Sequence, residues 1–141
     1  LVFVAYLSGT WSSRQSGAMV SRFARLPVLL GSIGVMFAGL LVTLIDWLPS
    51  VVLGMLLFTA GFFAAHAVAS GWIPLVAVGG RAQAASLYNL AYYGGSSLFG
   101  WAIGLAFDVA GWPGLSLAVA SLLVLAAALA LLGLRQRQQE V

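Results

Sequence analysis

The 141 residues include six arginines, no lysine, three acidic side chains and one histidine, for a net charge of +3, with 62% hydrophobic and 6% charged residues. Soluble domains carry about 25% charged residues, and a soluble chain of this length has no interior able to bury so much apolar surface. A mean hydropathy of +1.08 therefore excludes a water-soluble globular domain and makes lipid the solvent.

Residues 1–13 are uncharged and stop at Arg14, short of the about 20 residues that a spanning helix needs. The segment lacks the cationic start, apolar core and cleavage site of a signal peptide. It is expected to be the trailing part of a span, at about 1–16, of a longer protein. Residues 17–26 (GAMVSRFARL) are expected to form a short basic loop, and Pro27 suits the first turn of the next helix. Four complete spans are then expected, at about 27–45, 51–70, 84–107 and 114–134, with a tail at 135–141. An Asp-Trp-Leu-Pro-Ser turn begins at Asp46, and Gly71 and Pro74 are expected to break the third span ahead of Gly79-Gly80-Arg81. Asp108, Gly111 and Pro113 mark a tight turn before the fifth. At 1.5 Å rise per residue each complete span is about 27–36 Å long, enough for the hydrocarbon core. Trp47, Trp72, Trp101 and Trp112 lie near span ends, as an interfacial aromatic belt does.

Threaded in this way, Arg14, Arg22, Arg25, Arg81, Arg135 and Arg137 fall on one side, and Asp46 and Asp108 on the other. Cytoplasmic loops carry the Lys/Arg excess, so the arginine side and the C-terminus are expected in the cytoplasm. Arginines dispersed in this way anchor helix ends to lipid and exclude nucleic acid as a partner. The lack of cysteine excludes disulfides and thiolate metal sites, and no cluster of metal ligands or phosphate loop occurs.

The spans differ in polarity. The second has only Ser32 and Thr43 as polar side chains and the fifth only Ser116 and Ser121, so both are expected to face lipid all round. At 100° per residue, Thr59, Phe63, His66 and Ser70 fall within about 60° on the third span. Asn89, Tyr92, Tyr93, Ser96 and Gly100 fall within about 100° on the fourth. A polar stripe in a membrane faces protein or a watery cavity, so spans three and four are expected to face inward.

GAMVSRFARLPVLL resembles the second copy of the Gly-x-x-x-Asp-Arg-x-Gly-Arg-[Arg/Lys] loop of the major facilitator superfamily. FFAAHAVASGW (62–72) and RAQAASLYNLAYYGGSS (81–97) resemble spans ten and eleven of its bacterial sugar- and drug-efflux permeases. Gly17, Arg22 and Arg25 occupy the loop's glycine and arginine positions; Ser21 stands at its Asp, Ala24 at its second glycine and Leu26 at its last basic residue. The resemblance implies an all-α membrane protein, the C-terminal portion of a twelve-helix bundle running from most of span eight through span twelve. It implies a secondary transporter of the bacterial inner membrane, exporting a small sugar or drug-like solute by proton antiport, with rocking alternating access against an N-terminal half that lies outside this chain.

Each candidate residue has a second reading. His66, the one ionisable side chain inside a span, is either a substrate, gate or proton contact or a neutral histidine bonded to a neighbouring helix. Asn89, Tyr92, Tyr93 and Ser96 offer donors beside aromatic rings, as a polar organic ligand needs, or hold helices together. Phe62 and Phe63 stack on a substrate or fill space, and with Thr59 they complete the substrate-contact set. Ser96, Gly100 and Gly104 form a ridge that lets another helix come close. Gly17, Arg22, Arg25 and Arg81 either gate or anchor to lipid phosphate. No cofactor is expected, and nothing supports an enzyme: one histidine and an ordinary Gly-Gly-Ser-Ser run lack an aligned base and an oxyanion hole. The rival reading is a small structural or assembly subunit of a membrane complex.

Overall fold

In lipid no water meets the backbone N–H and C=O groups, so an apolar chain satisfies them within helices. The computed structural model describes residues 2–138, with side-chain surroundings for Leu7 and residues 9–132. Its elements are α1 (Val2–Phe23), α2 (Arg25–Val42), α3 (Leu48–Val76) and α4 (Arg81–Gln138), with no strand among the described residues. The architecture is that of an all-α membrane protein. Among the described residues, three helical stretches are long and apolar enough to cross a bilayer: Arg25–Val42, Leu48–Val76 and Arg81–Leu132. The last, at 52 residues, has more than twice the length of one crossing. The chain divides into two compact units, Leu1–Val68 with Ala120–Val141, and Ala69–Val119.

In the first unit the expected basic loop is mostly helix. Nothing in GAMVSRF stops a helix, Ser21 closes its hydroxyl on the Ala18 carbonyl (2.8 Å), and Arg22 sits in the last turn of α1, where a cation suits the helix dipole. The connection shrinks to Ala24, with φ 65° and ψ 170°. That region is nearly reserved for glycine, and an alanine there costs about 1–3 kcal/mol. It is also the position at which the loop pattern quoted above has its second glycine. Ala24→Gly is therefore expected to stabilise the protein by about 1 kcal/mol, after allowing for glycine's greater freedom when unfolded. Thermal unfolding of the purified protein checks this, and a lower midpoint for Ala24→Gly would contradict the strained turn.

The second span, expected to face lipid all round, instead packs along one side. Ser32, Met36 and Gly39 on α2 and Thr43 at its C-cap recur at seam spacing and are all buried, as are Gly54 and Gly61 on α3. A Cβ on Gly54 would lie 2.6 Å from the Gly39 carbonyl oxygen and 2.5 Å from Thr43 Cγ2; one on Gly61 would lie 2.6 Å from the Ser32 carbonyl oxygen. The α2 and α3 backbones thus touch at their glycines, the close approach that small residues permit in membranes. The two hydroxyls on the seam are satisfied within α2: Ser32 donates to the Val28 carbonyl (2.8 Å) and Thr43 to that of Leu40 (2.7 Å). At the hairpin, the buried Ser50 hydroxyl donates to the Trp47 carbonyl (2.7 Å).

Gly71 and Pro74 do not break α3, which continues to Val76. Proline is tolerated in membrane helices, where neighbouring groups take up the freed carbonyl. In the second unit α4 departs from helical geometry at Gly111 (φ 61°, ψ −151°), inside the 108–113 segment, giving arms at 81–110 and 112–138. The turn is tight: a Cβ on Gly114 would lie 2.5 Å from the Ala106 carbonyl oxygen and 2.7 Å from Ala110 Cβ.

Candidate functional site

The chemistry-bearing residues of the first unit lie on α3, and α1 divides their face. Small residues at Gly9, Ser12, Ser13 and Ser16 recur at i, i+3, i+4 and i+7 on α1, one helical face. The Phe63 ring covers Gly9 so closely that a Cβ there would sit 2.5 Å from Phe63 Cδ2. Ser12 donates to the Ala60 carbonyl (2.8 Å), while Ser13 donates to the Gly9 carbonyl (3.0 Å) and reaches that of Phe63 at 3.5 Å. Ser16 closes on the Ser13 carbonyl (2.7 Å) and is almost wholly buried. Phe63 is thus placed in the α1–α3 contact. The spacing of Gly9, Ser12, Ser13 and Ser16 is the signal in the sequence that marks this face.

The other side of the stripe carries Phe62 and His66, four residues and about one turn apart. Their rings stack nearly parallel (centroids 6.1 Å, interplanar angle 15°), and Phe62 meets Phe63 edge-on (5.7 Å, 89°). The near-parallel rings place the imidazole beside an apolar aromatic surface. Thr59 and His66 lie between the Phe62 and Phe63 directions at 100° per residue, and Thr59, Phe62 and His66 are half-buried. The arrangement offers one aromatic platform, one titratable ring and hydroxyls, on a helix long enough to span.

The second unit holds the remaining candidates. Tyr92 and Tyr93 pack edge-on (5.1 Å, 69°), with Tyr92 half-buried and Asn89 and Tyr93 exposed. Ser96 donates to the Tyr92 (2.8 Å) and Tyr93 (3.1 Å) carbonyls, and Ser97 to that of Tyr93 (3.0 Å), so both hydroxyls turn back on their own helix. A Cβ added at Gly100 or Gly104 meets nothing within 4 Å, so the small-residue ridge is open. Of the loop-motif residues, Gly17 and Arg22 lie within α1, and Arg25 and Arg81 begin α2 and α4. The Arg22 guanidinium lies 5.4 Å from the centre of the Phe23 ring. Among the described residues no group of three His, Cys, Asp or Glu is placed to hold a metal.

No family model matches the chain. No solved structure matches it either. Curated proteins do. The chain is 50% identical over 126 residues to the inner membrane transport protein YnfM of Escherichia coli (strain K12), covering 89% of this chain and 30% of that protein. It is 41% identical over 113 residues to an uncharacterized MFS-type transporter, YybF, of Bacillus subtilis (strain 168), covering 80% of this chain and 28% of the relative. An uncharacterized transporter of Buchnera aphidicola subsp. Schizaphis graminum (strain Sg) is 36% identical over 128 residues, 91% of this chain and 31% of its own length. The chain thus spans about 30% of the length of the curated relatives it matches. Spanning helices of the length and polarity found here, with identity to named transporters along most of them, place the chain in the major facilitator superfamily.

Proposed function

We propose that this chain supplies spans eight to twelve of a bacterial inner-membrane permease that exports a small sugar or drug-like solute in exchange for protons. In this reading α1 carries span eight, α2 and α3 spans nine and ten, and the two arms of α4 spans eleven and twelve. The opposing half belongs to the same protein, and the two halves rock about a midplane site. The arginine side and the C-terminus face the cytoplasm. Thr59, Phe62 and His66 contact the solute from α3, and Asn89, Tyr92 and Tyr93 from α4. Phe63 holds α3 to α1 and acts on the solute through that contact.

The stacked Phe62–His66 pair carries this reading. An ionisable ring inside a spanning helix is costly unless it serves a cavity or finds a partner, and an aromatic platform beside it suits the apolar face of an organic solute. The one carboxylate in these helices is Asp108, three residues before the Gly111 turn at the end of its arm, so proton coupling falls to acidic residues of the opposing half. The test is solute uptake into inverted vesicles holding the full-length protein, where export runs into the lumen, with a panel of sugars and amphiphilic drugs and an imposed interior-acid proton gradient. Saturable, gradient-dependent movement of at least one panel member is expected. Movement that ignores the gradient would remove the antiport, and none across the panel would remove this solute class.

A further inference from the structure

Between α1, α2 and α3 lies a groove of about 430 Å³, within the range of about 300–1,000 Å³ typical of ligand pockets. Its α2 wall is Pro27, Gly31 and Val35, one residue per turn and all exposed; Met19 and Phe23 form the α1 wall. Its floor is closed by α3 at Ala60, Gly61 and Ala64. Ser12 and Ser32 are the hydroxyl-bearing residues of the lining, and both donate to carbonyls, Ser12 to Ala60 and Ser32 to Val28. A groove so lined has little to offer a sugar or any other polar solute. It suits a hydrocarbon chain.

One end of the groove is cationic. Phe23 and Pro27 bracket the Ala24 turn, Arg22 lies over the Phe23 ring, and Arg25 opens α2. No acidic residue occurs in the first 45 positions, the first being Asp46 beyond the far end of α2. The two arginines therefore lie beside the Phe23–Pro27 end of the groove, with no carboxylate on either helix.

We propose that the groove seats one acyl chain of an anionic phospholipid, with its phosphate held by Arg22 and Arg25. Arginine's planar fork matches phosphate oxygens in bidentate fashion, and the anionic headgroup balances two cations that the local sequence leaves uncompensated. The lipid then bridges the α1–α2 turn to the floor of α3 and fills an apolar surface that neither helix covers.

Native mass spectrometry of the detergent-solubilised full-length protein, titrated with phosphatidylglycerol or phosphatidylcholine of the same acyl chains, tests the site. Phosphatidylglycerol is expected to be retained at least fivefold more than phosphatidylcholine, as one molecule per protein. In Arg22→Gln/Arg25→Gln that preference should vanish while the weaker acyl-dependent retention persists. A Cβ at Gly31 meets nothing within 4 Å, so Gly31→Leu starts a bulky side chain from an open position on the groove wall. It should lower retention of both lipids at least fivefold without lowering the thermal unfolding midpoint, since a helix former at an open glycine stabilises. Equal retention of the two lipids by the wild type, or full retention in Gly31→Leu, would overturn the proposal. So would displacement of phosphatidylglycerol by millimolar inorganic phosphate, which would make the arginines a free-anion site.

Discussion

Gly54→Ala is expected to destabilise the protein by about 2–3 kcal/mol, the scale of forced overpacking. The added methyl group would lie 2.5 Å from Thr43 Cγ2, 2.6 Å from the Gly39 carbonyl oxygen and 2.9 Å from the Thr43 backbone nitrogen. Two of these are backbone atoms and the third belongs to a stiff β-branched side chain, so only separation of α2 from α3 relieves the clash. Gly39→Ala should behave alike, since its Cβ would lie 2.6 Å from the Phe58 nitrogen. Gly34→Ala is the control, because its Cβ meets nothing within 4 Å. At that helical position alanine should stabilise by about 0.5–1 kcal/mol. Thermal or denaturant unfolding of the purified full-length variants gives both signs at once. A neutral Gly54→Ala would mean that the two backbones do not touch.

His66→Ala is expected to lower solute export at least tenfold, with the amount of protein in the membrane within twofold of wild type. Tenfold corresponds to about 1.4 kcal/mol of lost transition-state or binding stabilisation. Phe62→Ala removes the platform under the imidazole, a contact of about 0.5–1.5 kcal/mol beyond area burial. It should therefore weaken export by several-fold, less than loss of the ring itself. Phe63→Ala should separate from both, because its ring fills the contact with Gly9: its first effect is on stability rather than on the apparent affinity for solute. Export by His66→Ala at the wild-type rate would leave His66 a packing residue and sink the proposed site.

The membrane class and helical architecture are legible from where the charges fall, because lipid leaves an apolar chain little alternative to helix. Gly111 is legible as a turn residue because glycine and proline there flank a gap in the apolar pattern. The α2–α3 seam is not. A glycine that touches a neighbouring backbone and a glycine that faces lipid look alike in a row of apolar residues, as Gly39 and Gly34 show. The helical course of residues 17–23 is hidden for another reason: the cations that mark an interface also tolerate the last turn of a helix. Thr59, Phe63, His66 and Ser70 share one face of α3 by angle, yet their neighbours differ: Phe63 lies against Gly9 of α1 and His66 against Phe62 of its own helix. Periodicity gives the angle of a side chain about its own axis, not the identity of its neighbour. For Ser96 and Ser97 the sequence shows a hydroxyl, whereas only the structure shows that each proton goes to its own helix.

Those self-contained hydroxyls bear on how the protein is made. Ser32, Thr43, Ser96 and Ser97 each donate to a carbonyl three or four residues back, a bond that needs no second helix. A segment whose hydroxyls are closed in this way presents a hydrocarbon exterior as it leaves the translocation channel. It can partition into lipid before any neighbour has been synthesised. Ser12 is different, because its acceptor on Ala60 lies 48 residues further along the chain. The ribosome must deliver α2 and nearly half of α3 before that bond can form, which places the α1–α3 contact after insertion of α1. The waiting hydroxyl has its own helix carbonyls in the meantime, so the delay does not require a chaperone to shield it.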